Sequence, residues 1–231
     1  MKVIVKVANE SHYSYAESIC QMMEDAAKIR GTGIAKREPE YIRKKMTEGK
    51  AVIALDEETA VGFCYIESWG EKKYVANSGL IVDPNYRNTG LARNIKRATF
   101  DLSKKMFPEA KLFGITTSSA VMKINSDLGY KPVTFSELTQ DEAFWKGCQS
   151  CVNFDILTRT NRTMCLCTGM VCDLSKVPEK KADTPPDLHE KDKAWESFGR
   201  FMKLRKLRIQ RKLENVPGLK LALKSIKEDK E

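Results

Sequence analysis

Gly79-Leu80-Ile81-Val82-Asp83-Pro84-Asn85-Tyr86-Arg87-Asn88-Thr89-Gly90-Leu91-Ala92 is the stretch that decides the fold of this chain. It opens with a short apolar run suited to a buried strand. Asp83-Pro84-Asn85 then stops the sheet, because proline has no N–H to give a ladder. Downstream, Leu91, Ile95, Ala98, Leu102 and Met106 recur at three- and four-residue steps, with Arg93, Lys96, Arg97, Lys104 and Lys105 mostly between them. That period predicts an amphipathic helix. A strand, a turn of small residues and a helix N-terminus together make an anion site. The first N–H groups of the helix lack partners, and Gly90 and Ala92 let a phosphate approach them closely.

Outward from this stretch, 231 residues suffice for one well-buried domain with an appendage, or for two small domains. Hydrophobic residues make up 42% of the chain, which suits a soluble globular protein. No apolar run approaches the roughly 20 residues of a membrane helix. Met1 to Val7 alternates like a strand and lacks signal-peptide architecture, so cytoplasmic residence is expected. In that compartment the seven cysteines read as thiols or metal ligands rather than disulfides. A net charge of +9 is compatible with nucleic acid, a membrane surface or a polyanionic cofactor, and does not choose among them.

In chain order, Val3, Val5 and Val7 suggest a first strand. Tyr15, Ile19, Met22, Met23, Ala26 and Ile29 share the face of a helix. Arg30 to Arg37 is a cationic, glycine-broken loop, and Glu38-Pro39-Glu40 starts a second helix running through Met46. Ala51–Leu55 and Gly62–Ser68 read as hairpin strands, and Tyr74–Val82 as a long central strand. Lys111–Thr116 is expected parallel beside it after a right-handed crossover. Ser119–Leu128 reads as helix, stopped by Gly129 and Pro132, and Val133–Phe135 resumes the sheet.

The R-x-x-G-x-A spacing of Arg87, Gly90 and Ala92 resembles motif A of the GNAT superfamily of acyl-CoA-dependent N-acyltransferases. Leu128-Gly129-Tyr130 resembles the close of that superfamily's motif B. The resemblance spans about three-quarters of the chain and implies an α/β (α+β) fold. A mixed central sheet of about six or seven strands would be flanked by helices, followed by a basic helical C-terminal extension. It also implies that Arg87, Asn88, Thr89, Gly90, Leu91 and Ala92 hold the CoA pyrophosphate, that Leu80, Ile81 and Val82 pair with the pantetheine arm, and that Asn125 bonds the pantetheine amides. The loop bearing Arg30, Lys36 and Arg37 would overhang the acceptor. Arg30–Arg37, Gly62–Glu67, Asn77–Val82 and Val121–Asn125 further resemble a bacterial subgroup encoded in arginine-biosynthesis clusters. That likeness implies N-acylation of the α-amine of glutamate or a related amino acid, from acetyl-CoA or succinyl-CoA.

The chain departs from the superfamily at two positions. The central strand carries Asn77, Ser78 and Gly79 where many relatives have a glutamate base, and Asn125 stands where many have a tyrosine acid. Glu67 on the neighbouring strand is then a candidate base, an Asn77/Ser78 pair a candidate for ordering a proton-accepting water, and proximity alone a third source of rate. His12 follows a helix-entry sequence and reads as structural.

Cys148, Cys151, Cys165 and Cys167 follow a C-x-x-C and C-x-C pattern that suits a structural zinc. Alternatively, Cys165 and Cys167 lie in an apolar strand and pack as small hydrophobes, or the group senses oxidants. Residues 1–173 are thus read as the acyltransferase domain, with 148–172 a Cys-rich C-terminal hairpin. Residues 174–196 read as a linker and 197–231 as a basic amphipathic helical extension. That extension suits self-packing or a homodimer, a protein partner, or an anionic surface such as nucleic acid or membrane. The leading reading is an enzyme acylating a small-molecule amino acid. The others are a protein N-acetyltransferase and a non-catalytic CoA- or nucleic-acid-binding regulator.

Overall fold

A computed structural model describes residues 3–30 and 36–178. Met1–Pro178 forms a compact unit. The expected basic extension, most of the expected linker, and the loop residues Gly31 to Ala35 lie outside the described residues.

Seven strands form one sheet: β1 (Ile4–Val7), β2 (Ala51–Asp56), β3 (Thr59–Trp69), β4 (Tyr74–Val82), β5 (Lys111–Thr116), β6 (Lys131–Val133) and β7 (Thr168–Asp173). Their order is β1-β2-β3-β4-β5-β7-β6. The β4–β5 pair runs parallel across a helical crossover, and every other neighbouring pair of the described strands is antiparallel. The helices are α1 (Ala16–Arg30), α2 (Pro39–Thr47), α3 (Leu91–Met106), α4 (Ser119–Asp127) and the short α5 (Glu142–Lys146) and α6 (Phe154–Arg159). Among the described residues no helix is long and apolar enough to cross a membrane.

α1 and α2 cover one face of the sheet. Ile19, Met23, Ile42 and Met46 pack there on Ile53, Phe63 and Tyr65. On the opposite face, α3 places Leu91 and Ile95 on Val52, Ala54 and Cys64. Each such aliphatic or aromatic side chain contributes about 1.5–3 kcal/mol on burial, so the two layers hold the middle strands rigidly.

Several expectations are corrected. Ile29 is 71% exposed, since the apolar face of α1 ends one turn earlier, at Ala26. The inward stripe of α3 is turned from the expected one. Lys96, Thr99, Phe100 and Ser103 are buried, whereas Met106 is 37% exposed. Phe135 lies in a short helical turn after β6, not in the strand. Residues 148–172 do not form a hairpin: they contain α6 and then β7, which inserts between β5 and β6. Cys165 and Cys167 precede β7 in irregular chain. The unit also runs past 173, because Leu174 is fully buried and its N–H donates to the Ala110 carbonyl.

Candidate active site

The site begins at the turn after β4. Asp83 accepts from the Asn85 N–H at 2.8 Å, which folds Pro84–Tyr86 into a helical turn. The Tyr86 hydroxyl donates to Asp56 at 2.7 Å and ties this turn to the β2–β3 hairpin. Gly90 then caps α3 with φ +86°, a conformation that costs other residues about 1–2 kcal/mol. No atom lies within 4 Å of where a Gly90 side chain would stand. Arg87, Asn88 and Thr89 are exposed around this open space. Apart from a long contact from the Leu91 N–H to Thr89 Oγ1, at 3.4 Å, the first turn of α3 points its amides outward, which suits a phosphate.

A cavity opens in the sheet farther back along β4, where its lining reaches as far as Ile81. β4 and β5 pair only over Tyr74–Ala76 and Lys111–Phe113, and then diverge. Within this wedge the β3–β4 register also slips: Phe63 opposes Ile81, but Tyr65 opposes Ser78. Gly79 sits in the slip with φ +62°, and a Cβ there would lie 2.3 Å from Tyr65 Cε1, so only glycine fits. The result is a cavity of about 650 Å³, within the ordinary range for small-molecule sites. Leu80 and Ile81 line it on the β4 side, Gly114 to Thr116 on the β5 side, and Asn125 from α4. Asn125 is buried, and its Oδ1 has no partner among the described residues. An acceptor oxygen left this way is costly unless a ligand N–H completes it.

The far end of the cavity is polar. Glu67 on β3 meets Lys45 of α2 at 2.9 Å, and its second oxygen is buried with no hydrogen-bond partner among the described residues. Burial pushes Glu67 up to about 7, with Arg37 opposing, and pulls Lys45 down to about 8. The ion pair itself acts against both displacements. Arg37 donates from Nε to the Tyr65 hydroxyl at 2.9 Å and lies over the Tyr41 ring at 5.1 Å. Residues two apart on a strand share a face, so Tyr65 and Glu67 present their side chains to the same space.

The expected site residues separate here. Arg37 and Glu67 line the cavity together. Lys36 does not reach it; an exposed side chain, it pairs with Glu24 and Glu38, each at 3.7 Å. Arg30 ends α1, and its side chain lies outside the described residues. Asn77 and Ser78 line the cavity but do not act as a pair, because adjacent strand residues face opposite ways. The Asn77 amide is occupied: it donates to Ser103 at 2.7 Å and accepts from Tyr130 at 3.3 Å.

Cys148, Cys151, Cys165 and Cys167 all line the cavity, and Cys148, Cys165 and Cys167 pack on a cluster that includes Phe144 and Trp145. The zinc expectation is corrected: among the described residues no group of three or more His, Cys, Asp or Glu is placed to hold a metal. Burial pushes Cys148 up to about 11 and Cys167 to about 12, which keeps them as packed thiols. Tyr65, Lys45 and Lys96 were missed as site residues. A signal existed for the lysines: Lys45 lies three residues from Ile42, and Lys96 four from Phe100, each at core-facing spacing.

A profile of the Acetyltransferase (GNAT) family matches residues 18–117. Over those residues, fewer than half of the chain, the sequence is similar to GNAT acetyltransferases. The strand order, the diverging β4 and β5 and the turn before α3 are those of the GNAT fold. No curated protein matches the chain. Among solved structures, N-acetylglutamate synthase from Neisseria gonorrhoeae with coenzyme A and N-acetyl-glutamate has a TM-score of 0.53 at 15% identity. That match covers 75% of this chain and 35% of the synthase, so the chain spans about a third of that protein's length. A Mycobacterium tuberculosis protein solved with CoA has a TM-score of 0.53 at 14% identity, over 74% of this chain and 98% of its own. A putative acetyltransferase from Salmonella typhimurium with acetyl-CoA has a TM-score of 0.53 at 11% identity, over 79% of this chain and 100% of its own. At these identities the likeness to solved structures shows the GNAT fold.

Proposed function

We propose that this chain transfers an acetyl or succinyl group from acyl-CoA to the α-amine of a small amino acid, with glutamate the preferred acceptor, as a cytoplasmic step of arginine biosynthesis. One observation carries the reading. A single cavity joins the β4–β5 wedge, next to the phosphate-ready turn of α3, to the Arg37, Tyr65, Glu67 and Lys45 cluster.

In this reading the exposed amides of α3 and the residues Arg87 to Ala92 hold the CoA pyrophosphate. The free edge of β4 from Leu80 to Val82 pairs with the pantetheine amides, and Asn125 Oδ1 accepts a further N–H. Arg37, held by its Nε bond to the Tyr65 hydroxyl, offers a planar fork to an acceptor carboxylate. Glu67, near neutrality in its proton affinity, takes the proton of the attacking amine. The backbone at the slip around Ser78 and Gly79, which lines the cavity, faces the carbonyl. The α-amine of a dicarboxylic amino acid agrees with the cations at this end. The gonococcal synthase, crystallised with N-acetyl-glutamate, is consistent with that choice of acceptor.

The test is thiol release from acetyl-CoA and succinyl-CoA across the free amino acids. Turnover strongest with glutamate supports the reading, and CoA binding without turnover on any free amino acid removes it.

A further inference from the structure

Lys96 is a buried cation that the reading above does not use. It belongs to α3 and is 2% exposed, yet it lines the cavity. Among the described residues it forms no ion pair. Its Nζ lies 3.5 Å from the Asn77 carbonyl and 5.4 Å from the centre of the Tyr130 ring. The titratable groups facing it are the Cys64 thiol of β3 and the Tyr130 phenol beyond α4. Burial raises both, so neither supplies a negative charge at neutral pH. The other polar neighbours, Asn77, Thr99 and Ser103, are neutral and bonded to one another or to α3 carbonyls. A fully buried ammonium without an anion is unfavourable, and burial pulls Lys96 down to about 8.

The position says which anion completes it. Asn77 immediately precedes the slipped pair Ser78 and Gly79, where β4 leaves β5. From Val82, beside the α3 turn, back to Asn77 the strand edge covers roughly 16 Å. An extended arm anchored by its phosphates at Gly90 therefore brings its terminal sulfur to the Asn77–Gly79 backbone. Lys96 reaches that point from the α3 face, opposite Glu67, which reaches it from the α2 face. Asn125 lacks any group able to give up a proton.

We infer that Lys96 is the proton donor to the CoA sulfur. The inference rests on the acyl-CoA reading above. As the tetrahedral adduct collapses, the C–S bond breaks and its electron pair goes to sulfur. The Lys96 ammonium gives sulfur a proton and becomes a neutral amine. The acceptor nitrogen has meanwhile given its proton to Glu67, and water returns that proton to Lys96. The sum is acyl-CoA plus amine giving amide plus CoA thiol.

The test follows ionisation of the bound thiol by its ultraviolet thiolate absorbance. The difference between complexes with CoA and with desulfo-CoA cancels the protein's own thiols and phenols. In the full chain, bound CoA is expected to ionise at a pH about 1–3 below that of free CoA. Lys96→Met abolishes this shift. Lys96→Arg, a permanent cation, keeps it but loses turnover by about 100-fold or more, since a guanidinium gives up no proton at this pH. An unshifted thiol in wild-type protein overturns the inference while leaving the acyl-CoA reading intact, as does a shift that survives Lys96→Met. Failure of CoA to bind overturns both. If Lys96→Met does not fold, full turnover by Lys96→Arg still decides against proton donation.

Discussion

Lys45 and Glu67 meet at 2.9 Å at the polar end of the cavity, the lysine 8% and the glutamate 16% exposed at their side chains. Burial brings the two proton affinities close together, to about 8 and about 7. A carboxylate so placed accepts a proton from an amine more readily than a surface glutamate does. Turnover is therefore expected to rise as pH increases through about 7. Glu67→Gln should lower kcat by about 100-fold or more and remove that acidic limb, with CoA affinity unchanged. Lys45→Met removes a neighbouring cation and should move the limb to higher pH. A pH–rate profile of the three proteins checks this.

The same pair shapes stability. Glu67 in the folded protein holds its proton more tightly than the ordinary value of 4.5, so between 4.5 and about 7 the native state carries the extra proton. Its contribution then falls as pH rises through that window. Lys45, lowered from 10.5 to about 8, works in reverse, and its contribution recovers as pH rises from about 8 to 10.5. The melting temperature of wild type relative to the Lys45→Met/Glu67→Gln double variant is expected to be lowest between pH 7 and 8. A flat difference would contradict the burial argument.

Arg37 and Lys36 are neighbours in sequence with opposite expected effects. Arg37 touches Tyr65 inside the cavity, whereas Lys36 is held outside by Glu24 and Glu38. Arg37→Ala should lower kcat/KM for a carboxylate-bearing acceptor by about 10- to 150-fold, the worth of one charged hydrogen bond. Arg37→Lys should rescue little, because an ammonium lacks the planar fork. Lys36→Ala should stay within about 2-fold, as exposed pairs contribute little. Steady-state kinetics with varied acceptor separates them.

Gly90 tests the phosphate turn. A side chain there meets no protein atom and stands where the pyrophosphate is proposed to lie. Gly90→Val should weaken CoA binding by about 10-fold or more while the melting temperature falls only a few degrees, the cost of a strained cap. Calorimetric titration with CoA is the check.

The sheet, the crossover and the phosphate turn were legible in sequence because each rests on local rules. Tyr74–Val82 and Lys111–Thr116 emerged with the expected bounds, as apolar runs closed by Asp83-Pro84 and by the loop ahead of α4. Local rules gave no warning that β7 would insert between β5 and β6, since its pairing with β5 joins residues 52 to 62 positions apart in sequence. They misjudged the C-x-x-C and C-x-C spacing for a related reason. Spacing says which thiols can meet, whereas packing on Phe144 and Trp145 decides what they do. The buried lysines are a third kind of miss. Lysine ordinarily marks a wet surface, and only their helical phase with Ile42 and Phe100 hinted otherwise. Arg37 and Glu67, by contrast, were named from chemistry and meet in one cavity, although the Asn77/Ser78 pair named with them is split across the sheet.

The measurement that bears most directly on the account is thiol release from acetyl-CoA and succinyl-CoA, with glutamate and the other free amino acids as acceptors, for wild type and Arg37→Ala. The account predicts turnover strongest with glutamate, and its loss in Arg37→Ala at unchanged CoA affinity. CoA binding with no turnover on any free amino acid would contradict it and turn attention to protein amines.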